Sequence, residues 1–296
     1  MLARATKKEL IGFYYFLPTI LLLGALFFYP LINSVYLSFH KQALYEAVPT
    51  FVGLGNYLEW FASVRFWASL KRTFIWTGGI VGMQMVVGLG AALLLNREFK
   101  GRAFARTAVL LPYFVPSVIA CLVFRWMYND INGLFNYVLI SLGIIRSPIL
   151  WLGEKSIVMF SVMMAGLWRF SPFATINILA RLQTIPPRFY DAAKVDGANR
   201  LQTFVYITLP QIRGVLLIVL LLRLIFMFNN FDVIWIMTGG GPARATETLP
   251  VLAYKTAFGT MQLGRASTIT TLLLLILVGI MIIYFMVFQP NKERLT

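Results

Sequence analysis

Only a handful of residues in this chain are equipped for chemistry, and most of the usual chemistries fail on a count. One cysteine, Cys121, cannot close an internal disulfide, and one histidine, His40, cannot build a histidine-rich metal site. Acid–base catalysis needs a paired constellation, and the centres of the apolar stretches hold no such pair of carboxylates. The run Gly239-Gly240-Gly241-Pro242 has the glycines of a phosphate cradle, yet a nucleotide loop also needs Lys followed by Ser or Thr, and no Gly-Lys pair occurs. These glycines are expected to form a turn at the outer face of a membrane. No catalytic residue, metal site or cofactor is expected within the chain itself.

Polar residues set inside apolar sequence are the second group. A charge in lipid costs about 3 kcal/mol on insertion scales and is kept only where it is paired, hydrated or useful. Arg169 and Arg223 are the deepest such charges. Asn229, Asn230 and Asp232 close a long apolar run, with Phe231, Trp235 and Trp168 as nearby aromatics. Arg223, Met227 and Asn230 recur at i, i+4 and i+7 and are expected to share a helix face, with Asp232 roughly opposite Arg223. Each of these residues could equally serve to hold helices together.

The third group is a charged, small-residue stretch between two apolar segments, from Tyr190 through Asp191, Ala192, Ala193, Lys194, Val195, Asp196, Gly197 and Ala198 to Pro210. Pro187 suits a first helical position and Gly197 the residue just past a helix end. A short helix near 188–196 is therefore expected. Asp191 would lie in its first turn, against the positive helix end, and Ala192 and Ala193 would leave a flat surface that another protein can approach closely.

The elements that must carry these residues are membrane spans. With 59% hydrophobic and 12% charged residues, and mean hydropathy +0.77, a soluble fold of this length would expose far too much apolar surface. About 20 apolar residues cross the hydrocarbon layer as a helix. Six such helices are expected, near 10–37, 74–95, 108–128, 157–182, 203–231 and 267–288, within one transmembrane domain covering 1–296. The third is interrupted by Pro112 and Pro116 and the fourth by Arg169 and Pro172. The first run is too long for a removable signal peptide. Gly78 and Gly82 have the spacing that lets helices pack closely.

Basic residues set the orientation. Arg4, Lys7 and Lys8 precede the first span; Arg97, Lys100, Arg102 and Arg106 follow the second; Arg181, Arg188, Lys194, Arg200 and Arg213 follow the fourth; Lys292 and Arg294 follow the sixth. The opposite loops carry fewer, including Lys41, Arg65, Lys71 and Arg72 in the first. The positive-inside rule places both termini and the Asp191 loop in the cytoplasm. The net charge of +15 is thus spent on orientation, and nucleic-acid binding is not expected.

The Asp191 loop resembles the Glu-Ala-Ala-x-x-x-Gly loop of the membrane subunits of ABC importers. Further stretches match the carbohydrate-uptake type in order: Phe51-Val-Gly-Leu-Gly-Asn-Tyr57, Lys100-Gly-Arg-Ala-Phe-Ala-Arg106, Leu111-Pro-Tyr-Phe-Val-Pro116, Phe124-Arg-Trp-Met-Tyr128, Gly133-Leu-Phe-Asn136, Leu182-Gln-Thr-Ile-Pro-Pro187 and Phe231 through Pro242, with Thr246-Glu-Thr248. The last resembles the branch of the larger maltose-permease subunit. Departures are Asp191 for Glu and Arg72 where Asn is commoner.

The resemblance implies an all-α polytopic membrane protein with the type I importer permease fold and a cytoplasmic coupling loop, residues 188–200. It implies residence in a bacterial or archaeal cytoplasmic membrane and a second, similar permease subunit. Two ATPase subunits that hold ATP and Mg, an extracytoplasmic solute-binding protein and a sugar or related polar solute complete the set. Coupling would fall to Asp191, Ala192, Ala193, Asp196, Gly197 and Ala198. The solute path would involve Trp168, Arg169, Arg223, Asn229, Asn230, Asp232 and Trp235, since amides and carboxylates bond hydroxyls and aromatic rings pack on pyranose faces. Gly239, Gly240, Gly241 and Pro242 would face the binding protein. Whether the solute is neutral or anionic is left open, with a lean to neutral because cytoplasmic loops account for most of the charge. A secondary transporter is the alternative, but would require midplane ion sites and internal repeats that the sequence does not show.

Overall fold

A computed structural model describes residues 7–46 and 48–288; Arg4, Lys292 and Arg294 lie outside them. The chain forms two compact units, residues 1–66 with 252–274 and residues 67–251 with 275–296.

The first unit begins with α1 (Lys7–Leu23) and α2 (Tyr29–Ser38), joined by a π-helical turn, Gly24–Phe28. Two-residue strands, β1 (His40–Lys41) and β2 (Thr50–Phe51), pair antiparallel, a small departure from the all-helical expectation. After them comes α3 (Gly55–Phe61). Asn56 of the Phe51–Tyr57 stretch is buried and donates both amide hydrogens, to Ser38 O and His40 O at 2.9 Å each. Thr268 Oγ1 also donates to Ser38 O, at 3.1 Å, and Trp60 Nε1 donates to Arg265 O at 2.9 Å. Side chains therefore satisfy the carbonyls left open where α2 ends, as a buried helix end demands. His40 turns its Nδ1 to Tyr36 O at 2.7 Å.

The second unit holds most of the long helices. Helix α4 (Val64–Asn96, entering this unit at Trp67) is 33 residues, or about 50 Å at 1.5 Å per residue, well beyond the hydrocarbon thickness. It starts about ten residues earlier than expected. Lys71 and Arg72 consequently lie in its helical first turns instead of in a loop.

Helices α5 (Arg102–Phe114) and α6 (Ser117–Met127) meet at a 95° bend, so the expected third span is two helices. Pro116 makes the break and Pro112 does not, because Val115 before Pro116 adopts the extended backbone that a following proline favours. Helix α8 (Val158–Leu182) follows α7 (Leu134–Ser141) and runs unbroken through Arg169 and Pro172, correcting the expected interruption. It is the central helix: Val158, Val162, Ala165, Ala174 and Ile178 are all buried. A proline costs one backbone bond, and close packing along this length sustains the helix across the gap.

Helix α9 (Pro187–Val195) leads to the short α10 (Arg200–Thr203), a π turn (Phe204–Thr208) and α11 (Leu209–Phe228). Helix α12 (Asp232–Thr238), α13 (Leu249–Tyr254), a third π turn (Lys255–Gly259) and α14 (Leu263–Val287) complete the chain. The stretches Tyr15–Ser38, Val64–Asn96, Arg200–Phe228 and Leu263–Val287 are long and apolar enough to cross a membrane, and the bent α5–α6 pair makes a fifth. Helix α8, which occupies the fourth of the six expected positions, is long enough but less apolar, in keeping with its burial among other helices.

Two clusters form the core of this unit. One gathers Trp76, Ile80, Val162, Phe124, Met227, Ile234 and Met237; the other gathers Ala92, Leu95, Ala174, Ile178, Leu182, Ile185 and Ile212. Close approach of α4 and α8 rests on glycines other than those expected. A Cβ on Gly79 would sit 2.8 Å from Met163, one on Gly88 2.6 Å from Ala174, and one on Gly166 2.6 Å from Ile80, whereas Gly78 and Gly82 face open space. Spacing alone does not reveal which face of a helix meets its neighbour. Outside the core, large apolar side chains such as Val86, Leu94, Leu122 and Phe226 are exposed, the surface of a protein whose solvent is lipid.

Candidate functional site

The polar break between α11 and α12 is the first of two candidate regions. Helix α11 stops at Phe228, with Asn229 in the cap position and Asn230 and Phe231 non-helical before α12 starts at Asp232. Extrapolating one continuous helix face from Arg223 to Asn230 and Asp232 therefore fails, because the chain turns between them.

Met227 organises the break. Its carbonyl accepts from Trp76 Nε1 at 3.0 Å and from Asn230 N at 3.2 Å, while its sulfur lies 3.7 Å from both Gln84 Nε2 and Arg223 Nη2. Arg223 is only 4% exposed; its Nε donates to Gln84 Oε1 at 2.7 Å, and its guanidinium lies 5.1 and 5.4 Å from the ring centres of Phe170 and Phe173. Arg169 stacks on the same Phe170, at 4.8 Å. Aromatic faces and a neutral amide thus hold charge within an apolar bundle. Gln84, fully buried, joins this site and is absent from the sequence-based expectation; a lone amide inside an apolar run is its one local mark, and its partner is not legible there.

Around the break, Asn229 Nδ2 donates back to Ile225 O at 3.2 Å, while Asn230 Oδ1 is buried and accepts from nothing among the described residues. Asp232 is exposed, Phe231 and Trp235 stack with centres 5.5 Å apart, and Trp168 meets Phe124 at 5.5 Å. Fold and sequence thus bring amides, a carboxylate and stacked aromatics to this break.

Beyond α12 the glycine loop is pinned from within. Gly239 caps the helix with φ +58° and Gly240 follows at +86°, both left-handed. Thr246 Oγ1 bonds to Thr238 Oγ1 at 2.7 Å and to Gly241 O at 2.8 Å. Leu249 N donates to Thr73 Oγ1 at 2.9 Å. This loop is a fixed turn leading out of α12, with Pro242 partly exposed and Ala243 and Arg244 exposed at its tip.

The second region is the α9–α10 turn. Pro187 occupies the first position of α9. Gly197, at φ +73°, ends it in a Schellman motif: Gly197 N donates to Lys194 O at 3.1 Å and Ala198 N to Ala193 O at 2.9 Å. Asn199 then starts α10 with a capping box, exchanging bonds with Gln202 at 2.8 and 2.9 Å. Asn-x-x-Gln is the sequence signature of this second cap.

Two details correct the expectation. Asp191 is the fifth helical residue, outside the first turn, and pairs with Lys194 Nζ at 3.0 Å instead of with the helix end. Ala193 is buried, so the approachable surface is Asp191, Ala192, Val195 and Asp196, with Val195 88% exposed. The turn is tied to the following helix through Tyr190, whose hydroxyl lies 3.4 Å from Thr208 Oγ1, and that helix is tied to α8 by Arg181, whose Nε donates to Gln211 O at 2.9 Å.

An apolar exterior, long hydrophobic helices and polar groups gathered at a helix break and an exposed helical turn define a multi-pass membrane protein. Residues 84–292 match the family described as the binding-protein-dependent transport system inner membrane component, and the chain belongs to that family. It is 35% identical over 287 residues to the trehalose/maltose transport system permease protein MalF of Thermococcus litoralis, covering 97% of this chain and 96% of that relative. The sulfoquinovosyl glycerol transport system permease protein SmoG of Agrobacterium fabrum is 31% identical, with 93% and 89% covered. A permease chain in the structure of a bacterial ABC transporter importing the acidic polysaccharide alginate superposes with TM-score 0.83 at 21% identity, covering 97% of this chain and 98% of that one. The architecture is therefore that of an ABC importer permease.

Proposed function

We propose that residues 1–296 form one permease subunit of an ATP-driven importer of a sugar, an oligosaccharide or a related polar solute, contributing half of the pathway. The names of the relatives support the solute class, since MalF and SmoG are permeases for trehalose or maltose and for a sulfosugar glycoside. A second, similar permease completes the pathway, two ATPase subunits bind ATP and Mg, and an extracytoplasmic binding protein delivers solute near Gly239, Gly240, Gly241 and Pro242. This chain hydrolyses nothing.

The observation that carries the coupling role is the exposed turn closed by Gly197 and reopened by Asn199. Two caps fix its shape while the surface of Asp191, Ala192, Val195, Asp196 and Ala198 is presented to a partner. The basic residues flanking the spans support a cytoplasmic side for both termini and this turn, where ATP is. Closure of the ATPases moves the turn. The tie from Tyr190 to Thr208 at the base of α11 passes that motion to the helix whose far end leads into the break at Asn229, Asn230 and Asp232. Solute passes inward as the two permeases exchange outward- and inward-open states, each stabilised by different contacts.

The test is reconstitution with the neighbouring permease, ATPase and binding-protein genes. Solute-stimulated ATP hydrolysis and vesicle uptake of a neutral saccharide are the expected results. Uptake driven by an ion gradient without ATP would overturn the reading.

A further inference from the structure

The transport reading leaves a groove between α5 and α8 unused. It has a volume of about 270 Å³, with Arg106 and Gln183 at one end and Val109, Ile176, Leu179 and Ala180 along its walls. Ile176 and Ala180 are exposed, so the groove opens sideways. Arg106 Nη2 donates to Leu95 O at 3.0 Å, and in the amide orientation that satisfies both groups Gln183 accepts from Nη1 at 3.1 Å and Nη2 at 2.6 Å. Arg106 Nε is buried and donates to nothing. All these partners are neutral, so the guanidinium charge is uncompensated among the described residues. Arg97, Lys100 and Arg102 stand close by in sequence against Glu98 alone, and Phe99 and Phe104 are exposed beside them.

On the reading that this end lies at the cytoplasmic membrane surface, we infer that the α5–α8 groove binds an anionic phospholipid, its phosphate at Arg106 and one acyl chain along Val109, Ile176, Leu179 and Ala180. A partly exposed guanidinium whose partners are all neutral, with a basic rim beside it, suits an anionic headgroup at the cytoplasmic leaflet. The apolar walls select a tailed ligand: inorganic phosphate would leave them empty, and a soluble anionic peptide would have to lie against lipid.

Native mass spectrometry of the full-length protein, released from non-ionic detergent after incubation with phosphatidylglycerol or phosphatidylcholine, tests this directly. The wild type should retain phosphatidylglycerol several-fold more than phosphatidylcholine, without displacement by millimolar inorganic phosphate. Arg106→Gln should lose that preference and Arg106→Lys should keep it. Ala180→Trp, which fills the groove and leaves Arg106 in place, should lower retention of both lipids while helical content is unchanged. Equal retention of the two lipids, displacement by phosphate, or undiminished retention by Ala180→Trp would overturn the inference. Because lipid is read without transport, failure here leaves the import reading standing.

Discussion

Arg223 Nε donates to Gln84 Oε1 at 2.7 Å inside the bundle, and this bond decides how the arginine's charge is to be read. With Phe170, Phe173 and the Met227 sulfur around it, the guanidinium is held by neutral groups of its own chain and is 4% exposed. These neutral partners favour a role in the shape of the α11–α12 break over selection of solute charge. Arg223→Met should lower import by removing a charge-assisted hydrogen bond, a loss on the order of 1–3 kcal/mol. The ratio of neutral to anionic saccharide uptake should stay constant. Uptake assays with a neutral oligosaccharide and its uronate analogue decide this, and a variant that newly favours the neutral sugar shows that Arg223 reads charge.

Asn230 carries the sharper expectation. Its Oδ1 is buried and has no partner among the described residues, so a hydroxyl that reaches it when the path opens can donate to it without displacing an internal bond. Losing one such bond costs about 1 kcal/mol, or roughly fivefold in apparent affinity. Asn230→Ala should raise the half-saturating solute concentration for stimulated ATP hydrolysis, and Asn230→Asp, which keeps an acceptor, should do so less. Asn229 already bonds Ile225 O, so its replacement should matter less. Equal, wild-type behaviour of alanine variants at Asn229, Asn230 and Asp232 would remove this region from the pathway.

The sequence announced the long elements because hydrophobic length and caps are local properties. The end of α9 at Gly197 and the turn at Gly239 follow from residue type alone. The missed features depend on what packs against what. Nothing local distinguishes Gly79, which meets Met163, from Gly78, which meets nothing. Nothing local reveals that Pro116 bends the chain by 95° while Pro172 is carried through. Gln84 escaped notice for the same reason, since its partner Arg223 is 139 residues away.

Asn136 offers a stability test independent of transport. Its Nδ2 donates to Asp130 O at 3.3 Å and Ile149 O at 3.0 Å, and its Oδ1 accepts from Ile149 N and Trp151 Nε1, each at 3.0 Å. Asn136→Ala strands several partly buried groups at once, a cost on the order of 3 kcal/mol. Thermal melting of the purified protein should show a clear drop, with Asn136→Asp intermediate because it keeps the acceptor. An unchanged melting temperature would mean that water replaces these bonds.

The turn closed by Gly197 should separate assembly from coupling. No neighbour lies within 4 Å of a Cβ built at Gly197, so substitution there meets only backbone strain. Valine at φ +73° costs about 1–2 kcal/mol, whereas asparagine visits this region readily. Gly197→Val should loosen the Schellman bonds from Gly197 and Ala198 and shift the exposed face of α9, while the helices pack as before. Asp191→Lys keeps the backbone and reverses the charge shown to a partner. Its pairing with Lys194 is exposed, 67% for the aspartate and 77% for the lysine, so the internal loss is small. Both variants should insert and assemble with the second permease, yet bind ATPase poorly or hydrolyse ATP without uptake, and Gly197→Asn should behave like the wild type. Co-purification of ATPase measured beside vesicle uptake separates the outcomes: normal uptake by both variants would reduce this turn to a connector, and failure of Gly197→Asn alongside Gly197→Val would show that small size, not backbone conformation, is what the position requires.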